Sequence, residues 1–173
     1  MTASRQPRRK LIRMQGYGYS AGQSYFFTIC TDGRARVLSH IDRNGEVHDT
    51  SAGAIVHGIW HALPDRFAAV QLDAFIVMPD HVHGIVTIMR GPDDDTANSP
   101  SLIRVINAFK SLSAIAINRE LGRRGVAVWQ RSFHDRVIRN DEEFARLCWY
   151  IEENPARWAH RTAEGETSPA GRL

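Results

Sequence analysis

The 173-residue chain reads as one α+β domain. Three features point there. With 43% hydrophobic and 24% charged residues, it has the makeup of a globular chain with a core, not of a disordered one. Short runs rich in aromatic and β-branched residues, at 24–30, 70–78 and 81–89, have the length and composition of strands. Longer segments, at 51–63, 101–120 and from 140 onward, carry apolar residues at helical spacing. No internal repeat and no second domain is visible.

No apolar run approaches the roughly 20 residues of a membrane span, so no membrane partner is expected. Met1-Thr2-Ala3-Ser4-Arg5 lacks the apolar segment of a secretory signal. Cys30 and Cys148 are isolated within apolar patterns, as reduced core residues of a cytoplasmic protein would be. The net charge of +3 is unevenly spread. Residues 1–20 hold Arg5, Arg8, Arg9, Lys10 and Arg13 and no acid, which predicts a flexible basic arm for a polyanion.

The elements follow in order. Ser24-Tyr25-Phe26-Phe27-Thr28-Ile29-Cys30 is a strand, closed by the turn chemistry of Thr31-Asp32-Gly33. Arg36 to Ser39 and Glu46 to His48 flank Asn44-Gly45, the signature of a hairpin. Residues 51–63 place Ile55, Val56, Ile59, Ala62 and Leu63 on a helical face, with Thr50 or Ser51 as cap and Pro64 as stop. Residues 70–78 become apolar on both faces, as a central strand would. After the break at Pro79-Asp80, residues 81–89 form another strand. Val82, Gly84, Val86 and Ile88 point toward helices. His81, His83, Ile85 and Thr87 point the other way, toward solvent or a ligand.

Residues 91–98 form a polar loop, and the Asp93–Asp95 run in it reads as solvated acids rather than a cation site. A long helix spans 101–120, with Leu102, Val105, Ile106, Phe109, Leu112 and Ala116 as its buried stripe and Arg104, Lys110 and Ser111 off it. It stops near Gly122-Arg123-Arg124-Gly125. A short strand over 126–130 leads into residues 131–139, where three arginines accompany Phe133 and His134 just after Trp129. Arginine with aromatics suits phosphate contacts and base stacking, and an ordinary edge strand has the same pattern. The last helix starts at Asn140 or Asp141, buries Phe144, Leu147, Cys148 and Ile151, and is expected to end at Asn154 because Pro155 follows. Tyr150 and Asn154 share a flank off that stripe. The small, polar residues 163–173 read as a frayed tail.

His81 and His83 on one strand face offer two imidazoles side by side, a common beginning of a metal site. If the flank carrying Tyr150 and Asn154 meets that strand, the two histidines and an amide oxygen could hold a divalent cation. The Tyr150 hydroxyl could then attack a phosphorus. Such a mixed nitrogen and oxygen set suits Mg²⁺ or Mn²⁺ better than zinc. A strand His-x-His and a tyrosine near a helix end are each commonplace alone, so their conjunction carries the reading.

Phe75-Ile76-Val77-Met78-Pro79-Asp80-His81-Val82-His83-Gly84 resembles the HUH motif of single-tyrosine transposases, in particular the REP-associated tyrosine transposases of bacteria. Trp129-Gln130-Arg131, Asp135, Ile138-Arg139 and Tyr150-Ile151-Glu152-Glu153-Asn154-Pro155 resemble that family's downstream blocks in order and spacing. The resemblance covers roughly residues 24–160. It implies a ferredoxin-like (RRM-like) antiparallel sheet carrying the histidines, with helices packed behind it. It implies metal-dependent cleavage and rejoining of single-stranded DNA at hairpin-forming elements, through a 5′-phosphotyrosine. Tyr150 would be the nucleophile, and His81, His83 and Asn154 the metal ligands. Single-stranded or hairpin DNA would be the partner, met by Arg8, Arg9, Lys10, Lys110, Trp129, Arg131, His134, Arg136 and Arg139. Family members occur as monomers and as homodimers. This chain departs from the pattern at Phe133-His134, where aromatic pairs are common, and at Arg136, often His in relatives. His134 is therefore read as a DNA contact. Two other functions remain open: a non-catalytic hairpin-binding protein on the same fold, and a zinc hydrolase built on His-x-His.

Overall fold

The structure is a computed structural model that describes residues 22–89 and 100–163. The basic arm with Arg8, Arg9 and Lys10, the Asp93–Asp95 loop and the tail beyond residue 163 lie outside the described residues.

Strand β1 (Gly22–Cys30) is followed by a single 3-10 turn at Asp32–Arg34, the hairpin β2 (Ser39–Ile41) and β3 (Val47–Asp49), helix α1 (Ser51–His61) and a short helix α2 (Leu63–Arg66). Then come β4 (Val70–Val77), β5 (His81–Met89), α3 (Leu102–Glu120), β6 (His134–Val137) and α4 (Asp141–Ala163). The main sheet has the order β4-β5-β1-β6, and every neighbouring pair is antiparallel. With the hairpin set aside, this is the βαββαβ arrangement of a ferredoxin-like fold, with β1 and β5 in the centre.

The period-two alternation of the central strands sorts their side chains into two layers. Behind the sheet, Phe27, Ile29, Val82, Val86 and Ile88 pack with Val56 and Trp60 of α1 and with Val105, Ile106 and Phe109 of α3. In front, Phe26 and Ile85 pack with Phe144, Leu147, Cys148 and Ile151 of α4. Gly84 lies between Phe27 and Phe75 of the flanking strands, and a Cβ there would come within 2.5 Å of the Phe27 ring. A bare backbone at this point lets Phe75 reach Trp60, with ring centroids 4.4 Å apart. Cys30 and Cys148 are buried thiols. Among the described residues, no helix is long and apolar enough to cross a membrane.

Five local expectations change. Pro64 does not end a helical run; α1 stops at His61, and Pro64 sits at the start of α2, where its missing N–H costs nothing. Strand β4 is an edge strand, not a central one. Its apolar residues serve two faces because α1 and α2 contact it as well as α4. Residues 126–130 are no regular strand: they follow the end of β1 through an isolated bridge between Thr31 and Trp129 and backbone bonds to Asp32 and Cys30. The buried stripe of α3 continues through Ser113 and Ile117, whereas Leu112 is exposed and Ala116 half-buried. Finally, α4 runs through Pro155 to Ala163. Buried Pro155 and Trp158 hold its last turns against the molecule, so tertiary packing overrides the local preference to stop.

Candidate active site

His81 and His83 both project from β5 into the front layer, and each is only 4% exposed. The face predicted to be open is covered by α4. Thr28 lies directly across from His83 on β1, and its Oγ1 hydrogen bonds with His83 Nδ1 at 2.8 Å. His81 Nδ1 donates to Asp80 Oδ1 at 2.6 Å, and the other Asp80 oxygen receives Arg34 Nε at 3.1 Å. With each Nδ1 held from behind, the two Nε2 atoms converge to 3.1 Å.

Burial lowers the pKa of His81, an effect that the Asp80 carboxylate partly opposes. Burial, reinforced by the neighbouring His81, lowers His83 well below its usual value. Both rings therefore favour the neutral form that binds metals. In a neutral His81 whose Nδ1–H donates to Asp80, Nε2 carries a lone pair aimed at His83. Two nitrogens about 2.1 Å from one ion at roughly a right angle are about 3 Å apart, so the observed convergence fits a shared cation. The carboxylate behind His81 is the kind of outer partner that orients a metal-binding imidazole.

Helix α4 meets this pair with one ridge of residues spaced by four: Tyr150, Asn154 and Trp158. The Tyr150 ring lies 5.4 Å from His83 and 6.1 Å from Phe26, centroid to centroid. Trp158 lies 6.0 Å from His81. Asn154, buried, occupies the same ridge between them. The histidine strand and the tyrosine helix are thus in contact.

The basic residues divide. His134 pairs with Thr28 across β1 and β6, so it stands on the same transverse row as His83, two strand spacings or about 10 Å away. His134, Arg131 and Arg139 are exposed. Arg136 is half-buried and ion-paired with Glu143. Lys110 donates to the carbonyls of Gln130 and Arg131, each at 2.8 Å, and so anchors that loop. Trp129, expected to stack on bases, is 7% exposed, packs beside Phe109 and donates its Nε1–H to Ser113 at 2.9 Å. It is a core residue and has no face to offer a base.

Sequence reading missed Thr28, Asp80, Arg34 and Trp158 as neighbours of the histidines. Asp80 had a signal, since it directly precedes His81. Thr28 and Arg34 come from a separate strand and turn, and only register brings them in. A second set of donors, Asp42, Glu46 and His48, lies within cation-binding reach on the β2–β3 hairpin. Asp42 Oδ1 there already accepts the backbone N–H groups of Asn44 and Glu46, so this carboxylate is engaged in the turn.

No family model matches the chain. An uncharacterised protein of Haemophilus influenzae is 28% identical over 167 residues, covering 87% of this chain and 89% of that protein. A REP-associated tyrosine transposase of Escherichia coli (strain K12) is 23% identical over 148 residues, covering 84% of this chain and 75% of the relative. Among solved structures, a REP-associated tyrosine transposase bound to a REP hairpin aligns with a TM-score of 0.56 and 21% identity, over 82% of this chain and 72% of that one. A candidate transposase of Deinococcus radiodurans aligns with a TM-score of 0.50 and 21% identity, over 80% of this chain and 94% of that one. In sequence the chain is similar to a REP-associated tyrosine transposase, and it shares the fold of the two transposase structures.

Proposed function

We propose that the protein cleaves and rejoins single-stranded DNA at hairpin-forming sites, with Tyr150 as nucleophile and a divalent metal as cofactor. One observation carries the reading: the Tyr150 ring packs on His83, whose Nε2 converges with that of His81. Likeness to a transposase solved with a REP hairpin supports hairpin DNA as the partner.

His81 and His83, through Nε2, and the side-chain oxygen of Asn154 would hold Mg²⁺ or Mn²⁺. Bound there, the ion supplies Lewis acidity to a phosphoryl oxygen. The Tyr150 hydroxyl attacks the phosphorus and loses its proton to solvent. The bond from phosphorus to the 3′ oxygen breaks, and that oxygen leaves as a 3′-OH after taking up a proton. The 5′ phosphate stays on Tyr150, and a 3′-OH attacking that phosphotyrosine reverses the chemistry and rejoins a strand. His134, on the same row as His83, and the exposed Arg131 and Arg139 would contact the DNA.

Incubation with single-stranded hairpin oligonucleotides and Mn²⁺ should give a denaturant-resistant protein–DNA adduct that is lost with EDTA and in Tyr150→Phe. An adduct that persists in Tyr150→Phe would sink the nucleophile assignment. Tight, metal-independent binding without an adduct would instead identify a hairpin-binding protein. Stoichiometric zinc with hydrolysis surviving in Tyr150→Phe would identify a hydrolase.

A further inference from the structure

Three of the four tryptophans are core residues: Trp60, Trp129 and Trp158 are 2%, 7% and 3% exposed. Trp149 is 52% exposed. It precedes Tyr150 on α4 and lies about 100° around the helix from it. The core stripe of α4 does not use it, since Phe144, Leu147, Cys148 and Ile151 fill the front layer. An indole left in solvent beside a site offers a flat face on which a base can stack.

A cation accompanies this ring. The Arg157 guanidinium lies 4.9 Å from the Trp149 ring centroid and 5.8 Å from that of Tyr150. Arg157 is itself exposed, and among the described residues it makes no ion pair with a carboxylate. Helical geometry explains the meeting: residue 157 is two turns beyond Tyr150 on nearly the same line, and helical side chains lean toward the N-terminus. A flat apolar ring and a free guanidinium thus flank Tyr150. A nucleotide presents the complement of both, a base with a π-face and a phosphate.

We propose that Trp149 and Arg157 form a nucleotide subsite beside Tyr150, in which an unpaired base stacks on the indole and the adjoining phosphate pairs with the guanidinium. The occupant is single-stranded nucleic acid, because inside a duplex both faces of a base are already covered by its stacked neighbours. The subsite orients the strand so that a neighbouring phosphate comes over the Tyr150 hydroxyl. It rests on the reading of Tyr150 as nucleophile only for that orienting role, and the binding itself is separable.

The test compares the full-length protein with Trp149→Ala, Trp149→Phe and Arg157→Gln. Affinity is measured for a fluorescein-labelled, mixed-sequence single strand and for an abasic strand of the same length. Trp149→Ala should weaken binding of the normal strand roughly 5- to 100-fold, and Trp149→Phe should restore most of it. The wild type should prefer the normal over the abasic strand, and Trp149→Ala should lose most of that preference. Arg157→Gln should weaken binding of both strands and lower the salt slope by about one contact. An unchanged preference for bases in Trp149→Ala overturns the subsite. So does a drop in oligomeric state in that variant with binding intact, which would make Trp149 an interface residue. A wild type that shows the base preference yet never forms an adduct refutes the nucleophile and leaves the subsite standing. An adduct whose yield and affinity are untouched by Trp149→Ala does the reverse.

Discussion

Thr28 and Asp80 fix which nitrogen each histidine presents. With Nδ1 of His83 on Thr28 and Nδ1 of His81 on Asp80, both Nε2 atoms must face the same point. Outer partners of this kind typically account for 10- to 100-fold in metal affinity. Thr28→Val keeps the side-chain shape and removes only the hydroxyl. It should weaken Mn²⁺ binding by about 10-fold, as measured by titration calorimetry, while the unfolding midpoint moves little. Asp80→Asn should cost more, because it also strips Arg34 of its carboxylate partner. Unchanged Mn²⁺ affinity in both variants would remove the histidine pair from consideration as a metal site. The same burial has a consequence in acid. Both imidazoles have folded-state pKa values below the 6.5 of the free side chain. Between those values the unfolded chain binds more protons than the native one, so stability rises with pH. EDTA-treated protein should therefore hold its full contribution from these histidines above about pH 6.5 and lose it as pH falls toward the folded values. Urea midpoints followed across that range check this, and His83→Gln should flatten the profile. A wild-type curve that is no steeper than that of His83→Gln would contradict the assigned direction.

Helix α4 shows where local reading succeeds and where it stops. The apolar set Phe144, Leu147, Cys148 and Ile151 was legible as a core face, and so was the shared flank of Tyr150 and Asn154, because both follow from helical period alone. The helix end was not. Proline lacks the N–H that would satisfy the Ile151 carbonyl, and a stop at Asn154 follows from that deficit. The compensation comes from elsewhere in the chain. Trp158 is buried with the Arg36 guanidinium 5.2 Å from its ring centroid. Gly45, at φ +82°, brings the β2–β3 hairpin so close that a Cβ there would sit 3.1 Å from Ala156 Cα. No periodicity in residues 150–163 announces either contact. Trp158→Ala should lower stability by about 3–5 kcal/mol in urea denaturation, the usual cost of deleting a buried aromatic. It should also raise amide exchange in the turns after Pro155 far more than in the turns before it. Uniform exchange along α4 would mean that Trp158 does not hold the last turns in place. Trp129 errs the opposite way: its place beside three arginines suggested an exposed stacking ring. The burial of Ser113 on α3, a polar residue within an apolar stripe, is what draws its indole inward.

At the scale of the molecule, the sheet separates support from chemistry. Its rear layer, with Phe27, Val86, Trp60 and Phe109, was legible because strand alternation and helix stripes agree there. Its front layer was legible only in part, since strand order and register decide that Thr28 joins His83 and that His134 stands on the same row. Register also sorts the cations, which composition cannot do. Lys110 and Arg136 are engaged inside the molecule by the 130–131 carbonyls and by Glu143, whereas Arg131, Arg139 and His134 face outward. Phosphate contacts release counterions, so each lost contact reduces the logarithmic salt slope by about 0.7 on a single strand. Arg131→Gln and Arg139→Gln should each weaken binding to a single-stranded oligonucleotide and reduce that slope by about this amount, with unfolding midpoints unchanged. Lys110→Gln should do the opposite. Its ammonium joins α3 to the loop that carries Arg131, so its removal should lower the unfolding midpoint while leaving the salt slope where it was. If Lys110→Gln alone lowers the slope, the ammonium reaches the DNA backbone rather than the loop, and the outward and inward sets are exchanged.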